Sequence, residues 1–183
     1  PTYPEIDYES FKKRDWSGYY GDVKEEIPMN APTPLGKPFI MRVYVDADHA
    51  GEKITRRSRT GYIIMLNNAP IYWHSKKQTG IETSSFGSEF IAMKQCCEYI
   101  RGLRYKLRMM GIPCEDPTDI YRDNQSVLAN TTIPDSTLKK KSQSIAYHFV
   151  REGVARDEWR TAYVNTHLNP ADLLTKALSG IKR

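Results

Sequence analysis

Along the 183 residues, apolar side chains recur at a period of two in some stretches and of about 3.6 in others, and each switch marks an element. Residues 40–45 form a short run rich in β-branched residues, which predicts a buried strand. Two further runs, 60–66 and 69–74, flank Asn67-Asn68, a hairpin turn because Asn tolerates positive φ. Three consecutive strands with short turns imply an antiparallel meander. Then Phe86, Phe90, Met93, Cys97, Ile100, Leu103, Leu107 and Met110 step by three or four. That spacing is one continuous face of a helix of about 25 residues, ended by Gly111 and Pro113. Beyond it the pattern predicts a strand at 118–121, helices at 124–130 and 136–153, a strand at 158–165 and a last helix from 169 to about 178. Meander first, then strands alternating with helices, indicates an α/β fold. It has a mixed five-stranded sheet, antiparallel then parallel, with helices on both faces.

Residues 1–38 read differently. Six of the eleven prolines lie here, among Tyr3, Tyr8, Phe11, Trp16, Tyr19 and Tyr20. Residues 29–38 are a linker by composition, since proline removes donors and fixes φ. The aromatics predict that this arm packs on its own domain or on an upstream one. A chain opening at Pro1 rather than Met suggests a piece of a longer polypeptide.

Composition sharpens the picture in two respects. Lys and Arg number 27 against 22 Asp and Glu, a formal net charge of +5. The bases gather at Arg56-Arg57-Ser-Arg59, Lys76-Lys77, Arg101 to Arg108 and Lys139-Lys140-Lys141, which suits a polyanion such as nucleic acid. The three cysteines, Cys96, Cys97 and Cys114, have neither disulfide nor zinc spacing and read as reduced core thiols in an intracellular compartment. No apolar stretch is long enough to span a membrane, and no signal peptide is visible.

Candidate chemistry comes from four acids placed just after or within the patterned runs. Asp46 follows the first strand, Glu89 lies in the long helix, Asp123 closes the fourth strand and Asp172 opens the last helix. Carboxylates brought together there need a counter-charge. Oxygen-only sites suit hard divalent ions, Mg²⁺ or Mn²⁺, so metal-assisted phosphodiester chemistry leads. Any one of these acids alone reads as an ordinary surface or first-turn carboxylate; four coincident placements do not.

The residues Tyr44-Val-Asp-Ala-Asp-His-Ala-Gly51, Arg56-Arg-Ser-Arg-Thr-Gly-Tyr62, Trp73-His-Ser-Lys-Lys-Gln78 and Ser84-Ser-Phe-Gly-Ser-Glu-Phe-Ile-Ala92 come in that order. Asp123-Asn-Gln-Ser-Val127, Tyr147-His-Phe-Val-Arg-Glu152 and Pro170-Ala-Asp-Leu-Leu-Thr-Lys176 follow. In blocks and order the chain resembles the ribonuclease H domain of copia-like (Pseudoviridae-type) LTR retrotransposon polyproteins. The resemblance implies a ribonuclease-H-like fold over residues 39–183, preceded by a 1–38 tether from a reverse transcriptase. It also implies hydrolysis of the RNA strand of RNA·DNA hybrids with two divalent ions, Mg²⁺ or else Mn²⁺. The work would be done inside the cell, in a cytoplasmic particle or the nucleus. Asp46, Glu89, Asp123 and Asp172 match the family's metal-binding catalytic acids. Asp48 ranks below Asp46, with a metal contact through water left to it.

Two departures stand out. Family members commonly carry Lys-His-Ile-Asp before the Tyr-His-Phe block, where this chain has Lys141-Ser-Gln-Ser-Ile145. His167 sits in a Tyr-Val-Asn-Thr-His context like the mobile histidine of bacterial and retroviral relatives. It comes only five residues before Asp172, so proton shuttle and solvated loop residue both stay open. Candidate substrate contacts are Arg56, Arg57, Arg59, Lys76, Lys77, Ser84, Ser85, Asn124, Gln125, Lys139, Lys140 and Lys141, directed mostly at sugar and phosphate. Helix capping is the competing role for the serines and for Asn124. Trp73, Tyr62, Tyr72 and Tyr121 are expected to pack on the sheet, Met109-Met110 to end the helix in the core, and His148 to be packed or half-exposed. A catalytically silent nucleic-acid-binding module and a DNA-strand transferase of the same fold class are the competing functions.

Overall fold

A computed structural model describes residues 3–52, 54–138 and 141–176. Its sheet has the order β3-β2-β1-β4-β5, built from β1 (Met41–Asp48), β2 (Arg59–Leu66), β3 (Ala69–Lys77), β4 (Thr118–Arg122) and β5 (Trp159–Tyr163). The β1–β2 and β2–β3 pairs are antiparallel, whereas β4 pairs in parallel with both β1 and β5. Asn67 takes the positive φ that the hairpin turn requires.

Two short arm helices come first, α1 (Tyr8–Lys12) and α2 (Ser17–Tyr20). They are followed by α3 (Ser85–Met109), α4 (Gln125–Thr132), α5 (Ser144–Ala155) and α6 (Asp172–Thr175). Helix α3 has the 25 residues that its apolar stripe predicts, and Ser84 caps it by accepting from the Gly87 amide at 3.2 Å. Alternation along β1 sends Val43, Val45 and Ala47 into the main core with Ile64, Phe90, Ile100 and Trp159. Tyr44 faces the other way and joins Ile6, Tyr121, Val164 and Ala171 in a smaller core. Gly153 lets the Trp159 ring lie against the α5 backbone, since a Cβ there would fall 1.9 Å from Cζ2.

The arm runs as a strap. Ile6 joins the smaller core and Trp16 the main one, and Tyr8 Oη donates to both Asp119 carboxylate oxygens at 2.9 and 3.0 Å. Arg14 reaches the Thr132 carbonyl at 2.7 Å. Glu25 takes paired hydrogen bonds from Arg104 and Arg108.

Some expectations are corrected. The segment before α5 is not helical from 136. Arg151 donates to the carbonyls of Asn130, Ile133 and Pro134 and to Ser136 Oγ, pinning that chain as a loop. A 3₁₀ turn at Lys141–Gln143 then leads into α5. The last helix starts at Asp172 rather than 169, and its expected extension past 176 lies outside the described residues. Trp73 is 66 % exposed, because it stands on edge strand β3 facing away from α3; buried Trp16 and Trp159 are 8 % and 0 % exposed. Met109 and Met110 are exposed beyond the core. His148 is exposed on α5 and bonds Tyr20 Oη at 3.0 Å. All three cysteines are free and buried. Among the described residues no helix is long and apolar enough to cross a membrane.

Candidate active site

Parallel pairing of β1 and β4 brings their carboxyl-terminal ends side by side, with Asp46 near one end and Asp123 just past the other. Glu89, in the second turn of α3, completes the group. Oxygens of Asp46, Glu89 and Asp123 all lie within 4.8 Å of one another.

Each carboxylate is held by specific partners. Thr175 Oγ1, at the end of α6, donates to Asp46 Oδ2, and Thr166 Oγ1 donates to Asp123 Oδ2 at 2.8 Å. Arg122 Nη2 donates to Glu89 Oε2 at 2.8 Å. Burial pushes Glu89 up to about 7, with Asp46 and Asp123 adding to the rise and Arg122 opposing it. Burial likewise raises Asp46 to about 6, against the Thr175 hydrogen bond and Lys176.

Asp172 stands outside this triplet. It binds Lys176 Nζ at 2.8 Å, and the same ammonium lies 3.8 Å from Asp46 Oδ2. Helix α6 can sit this close because β2 carries Gly61 opposite it; a Cβ there would meet Thr175 Cγ2 at 2.6 Å and Leu174 Cβ at 2.9 Å. Asn169 ties the preceding turn to β1 by donating to the Val45 carbonyl at 3.1 Å.

The donor set fits a hard divalent cation. All three clustered donors are carboxylate oxygens, and burying their shared charge is costly without a counter-ion.

Beside the acids, Arg57, Arg59, Lys77 and Lys176 line an open groove of about 510 Å³. Lys77 pairs with Glu52 at 2.7 Å and Arg59 reaches Ser75 Oγ at 3.2 Å. Lys76 and Lys77 belong to β3 rather than following it. Lys76 lines a separate hollow with Tyr62, His74 and Tyr99. Arg56 is exposed with positive φ. Ser84 is spent on capping α3 and Ser85 is exposed at its start. Asn124 Oδ1 caps α4 through Val127 N at 3.1 Å, leaving Gln125 exposed beside it. His167 is exposed on a 3₁₀ turn at Thr166–Leu168, next to the threonine that binds Asp123. Lys141 is exposed, whereas Lys139 and Lys140 lie outside the described residues.

The expected basic stretch from Arg101 to Arg108 is corrected: Arg104 is buried, Arg104 and Arg108 hold Glu25, and Arg101 holds Glu158. These cations tie the fold together.

Sequence reasoning missed Arg122, Thr166, Thr175 and Lys176 as partners of the acids. Arg122 adjoins Asp123, and Thr175-Lys176 closes the last block of the resemblance. Adjacency was the available signal, and it carries no direction.

No family model matches the chain. It is 35 % identical over 144 residues to the retrovirus-related Pol polyprotein from transposon RE1 of Arabidopsis thaliana, covering 79 % of the chain. It is 30 % identical over 143 residues to that from transposon TNT 1-94 of Nicotiana tabacum, covering 78 %. The chain spans only 10 % and 11 % of the length of these relatives. Among solved structures, ribonuclease H1 of Halobacterium salinarum aligns with TM-score 0.57 at 14 % identity, over 74 % of this chain and 93 % of that one. LC11-RNase H1, solved in complex with an RNA/DNA hybrid, aligns with TM-score 0.58 at 12 % identity over the same shares. Kinship in sequence and likeness in backbone meet on one assignment: the chain is a ribonuclease-H-fold segment related to the Pol polyproteins of copia-like retrotransposons.

Proposed function

We propose that this segment is an endonuclease that hydrolyses the RNA strand of RNA·DNA hybrids during reverse transcription of a retrotransposon. The observation that carries the reading is the convergence of Asp46, Glu89 and Asp123 within 4.8 Å beside a basic groove. These three, with Asp172 joining from α6, would hold two divalent cations, Mg²⁺ or Mn²⁺. Bound there, such ions acidify a water and offset charge building on the phosphate.

The chain's own residues do the rest. Arg57, Arg59 and Lys77 draw the backbone into the groove, with Arg56, Lys76 and Lys139–Lys141 extending the attraction. Amides at Ser84 and Ser85 meet a phosphate at the start of α3, and Asn124 and Gln125 bond sugar hydroxyls. His167, next to the threonine that binds Asp123, would serve as the proton shuttle. Residues 1–38 would tether the segment to an upstream polymerase, and the reduced cysteines suit work inside the cell.

The test is cleavage of a labelled hybrid in Mg²⁺ and in Mn²⁺. Asp46→Asn and Asp123→Asn should abolish cutting while the hybrid still binds; full cutting by Asp46→Asn would refute the assignment. A silent nucleic-acid-binding module is favoured by one observation, that Glu89 and Asp172 already have cationic partners within the chain. Binding without cutting in either metal would select it.

A further inference from the structure

We propose that Lys176 is a resident counter-cation of the acidic pocket, occupying between Asp46 and Asp172 a place that an incoming divalent ion must take from it. The proposal rests on the nuclease reading only for the identity of that ion.

Among the described residues two positive side chains, Arg122 and Lys176, pair with these acids, and they differ in one decisive way. Arg122 is 0 % exposed, lies under α3, and has Nε and Nη1 buried with no partner beyond its Glu89 bond. It has no way out and is a permanent charge. Lys176 is 44 % exposed at its side chain, at the mouth of the groove shared with Arg57, Arg59 and Lys77. Its ammonium bridges two carboxylates, at 2.8 Å from Asp172 Oδ1 and 3.8 Å from Asp46 Oδ2. Its backbone is anchored, because Ser75 Oγ donates to the Leu174 carbonyl at 2.6 Å and α6 rests on Gly61. Only the flexible four-carbon stem has to move for the charge to leave. A lysine so placed keeps the metal-free pocket from being a bare cluster of acids. It also competes with a metal, since both draw on the Asp46 and Asp172 carboxylates.

The competition predicts an opposite sign to structural damage, which would weaken metal binding. Titration calorimetry with MgCl₂ or MnCl₂ on the full chain, without nucleic acid, reads it directly. Lys176→Gln should bind metal about two- to fivefold more tightly, the size expected for loss of one partly exposed ion pair. Lys176→Arg, which keeps a cation, should stay near wild type. Lys176→Met repeats the test without an amide that could itself bond Asp172. Without metal, Lys176→Gln should melt lower than wild type and gain more on saturation with metal. Equal or weaker metal binding by both Lys176→Gln and Lys176→Met would overturn the proposal. If that result comes with Asp46-dependent metal binding by the wild type, the nuclease reading survives. If the wild type binds no metal at all, both fall together.

Discussion

Glu89 and Asp46 set the behaviour of the pocket at the residue scale, because burial holds both well above the ordinary carboxylate range, at about 7 and about 6. A carboxyl whose pKa is higher in the fold than in the unfolded chain takes up a proton on folding. Its contribution to metal-free stability is therefore fully present at low pH and is lost as pH climbs from about 4 toward 7. Metal needs the deprotonated oxygens, so affinity should move the other way and rise steeply between about pH 5.5 and 7.5. Titrations at about pH 6 in buffers of different ionisation heat should reveal protons released on binding. A flat affinity across that window would mean that neither acid is a ligand. Arg122 limits the cost of keeping Glu89 charged, and removing only one member of such a buried pair typically costs about 3–5 kcal/mol.

At the scale of elements, the arm matters as much as any strand. Trp16 lies in the main core beside Arg151, whose guanidinium sits 4.9 Å from the indole centroid, and Glu25 clamps the far end of α3. Trp16→Ala should cost about 3–5 kcal/mol, as large-to-small changes of buried aromatics do, read as a lowered urea midpoint. Deleting residues 1–38 should lower it further; an unchanged midpoint would make the arm a loose attachment. The sequence made α3 legible because seven turns of one apolar face leave little else to form, and Asp46, Glu89 and Asp123 were legible because each closes or interrupts a patterned run. The arm was not, since proline-rich composition hides where Ile6 and Trp16 dock. The delayed start of α5 was hidden for a related reason: a side chain, Arg151, took carbonyls that a helix would have used. Trp73 was misplaced because alternation gives two faces without saying which one is covered.

For the whole molecule, charge is divided by function. The basic stretch on α3 is consumed internally by Glu25 and Glu158, while Arg57, Arg59, Lys77 and Lys176 face the open groove. With Lys176 held by the acids, neutralising about three phosphates by Arg57, Arg59 and Lys77 predicts a loss of hybrid affinity of about fortyfold between about 50 and about 200 mM salt. Fluorescence anisotropy of a labelled hybrid measures it, and a slope near zero would make this surface ordinary. Of the three tryptophans, two are sealed inside and one, Trp73, stands in water on the edge strand that ends at the groove. Collisional quenchers such as acrylamide or iodide therefore reach a single indole. The protein supplies its own optical reporter for events along that margin, with no dye attached and no residue exchanged.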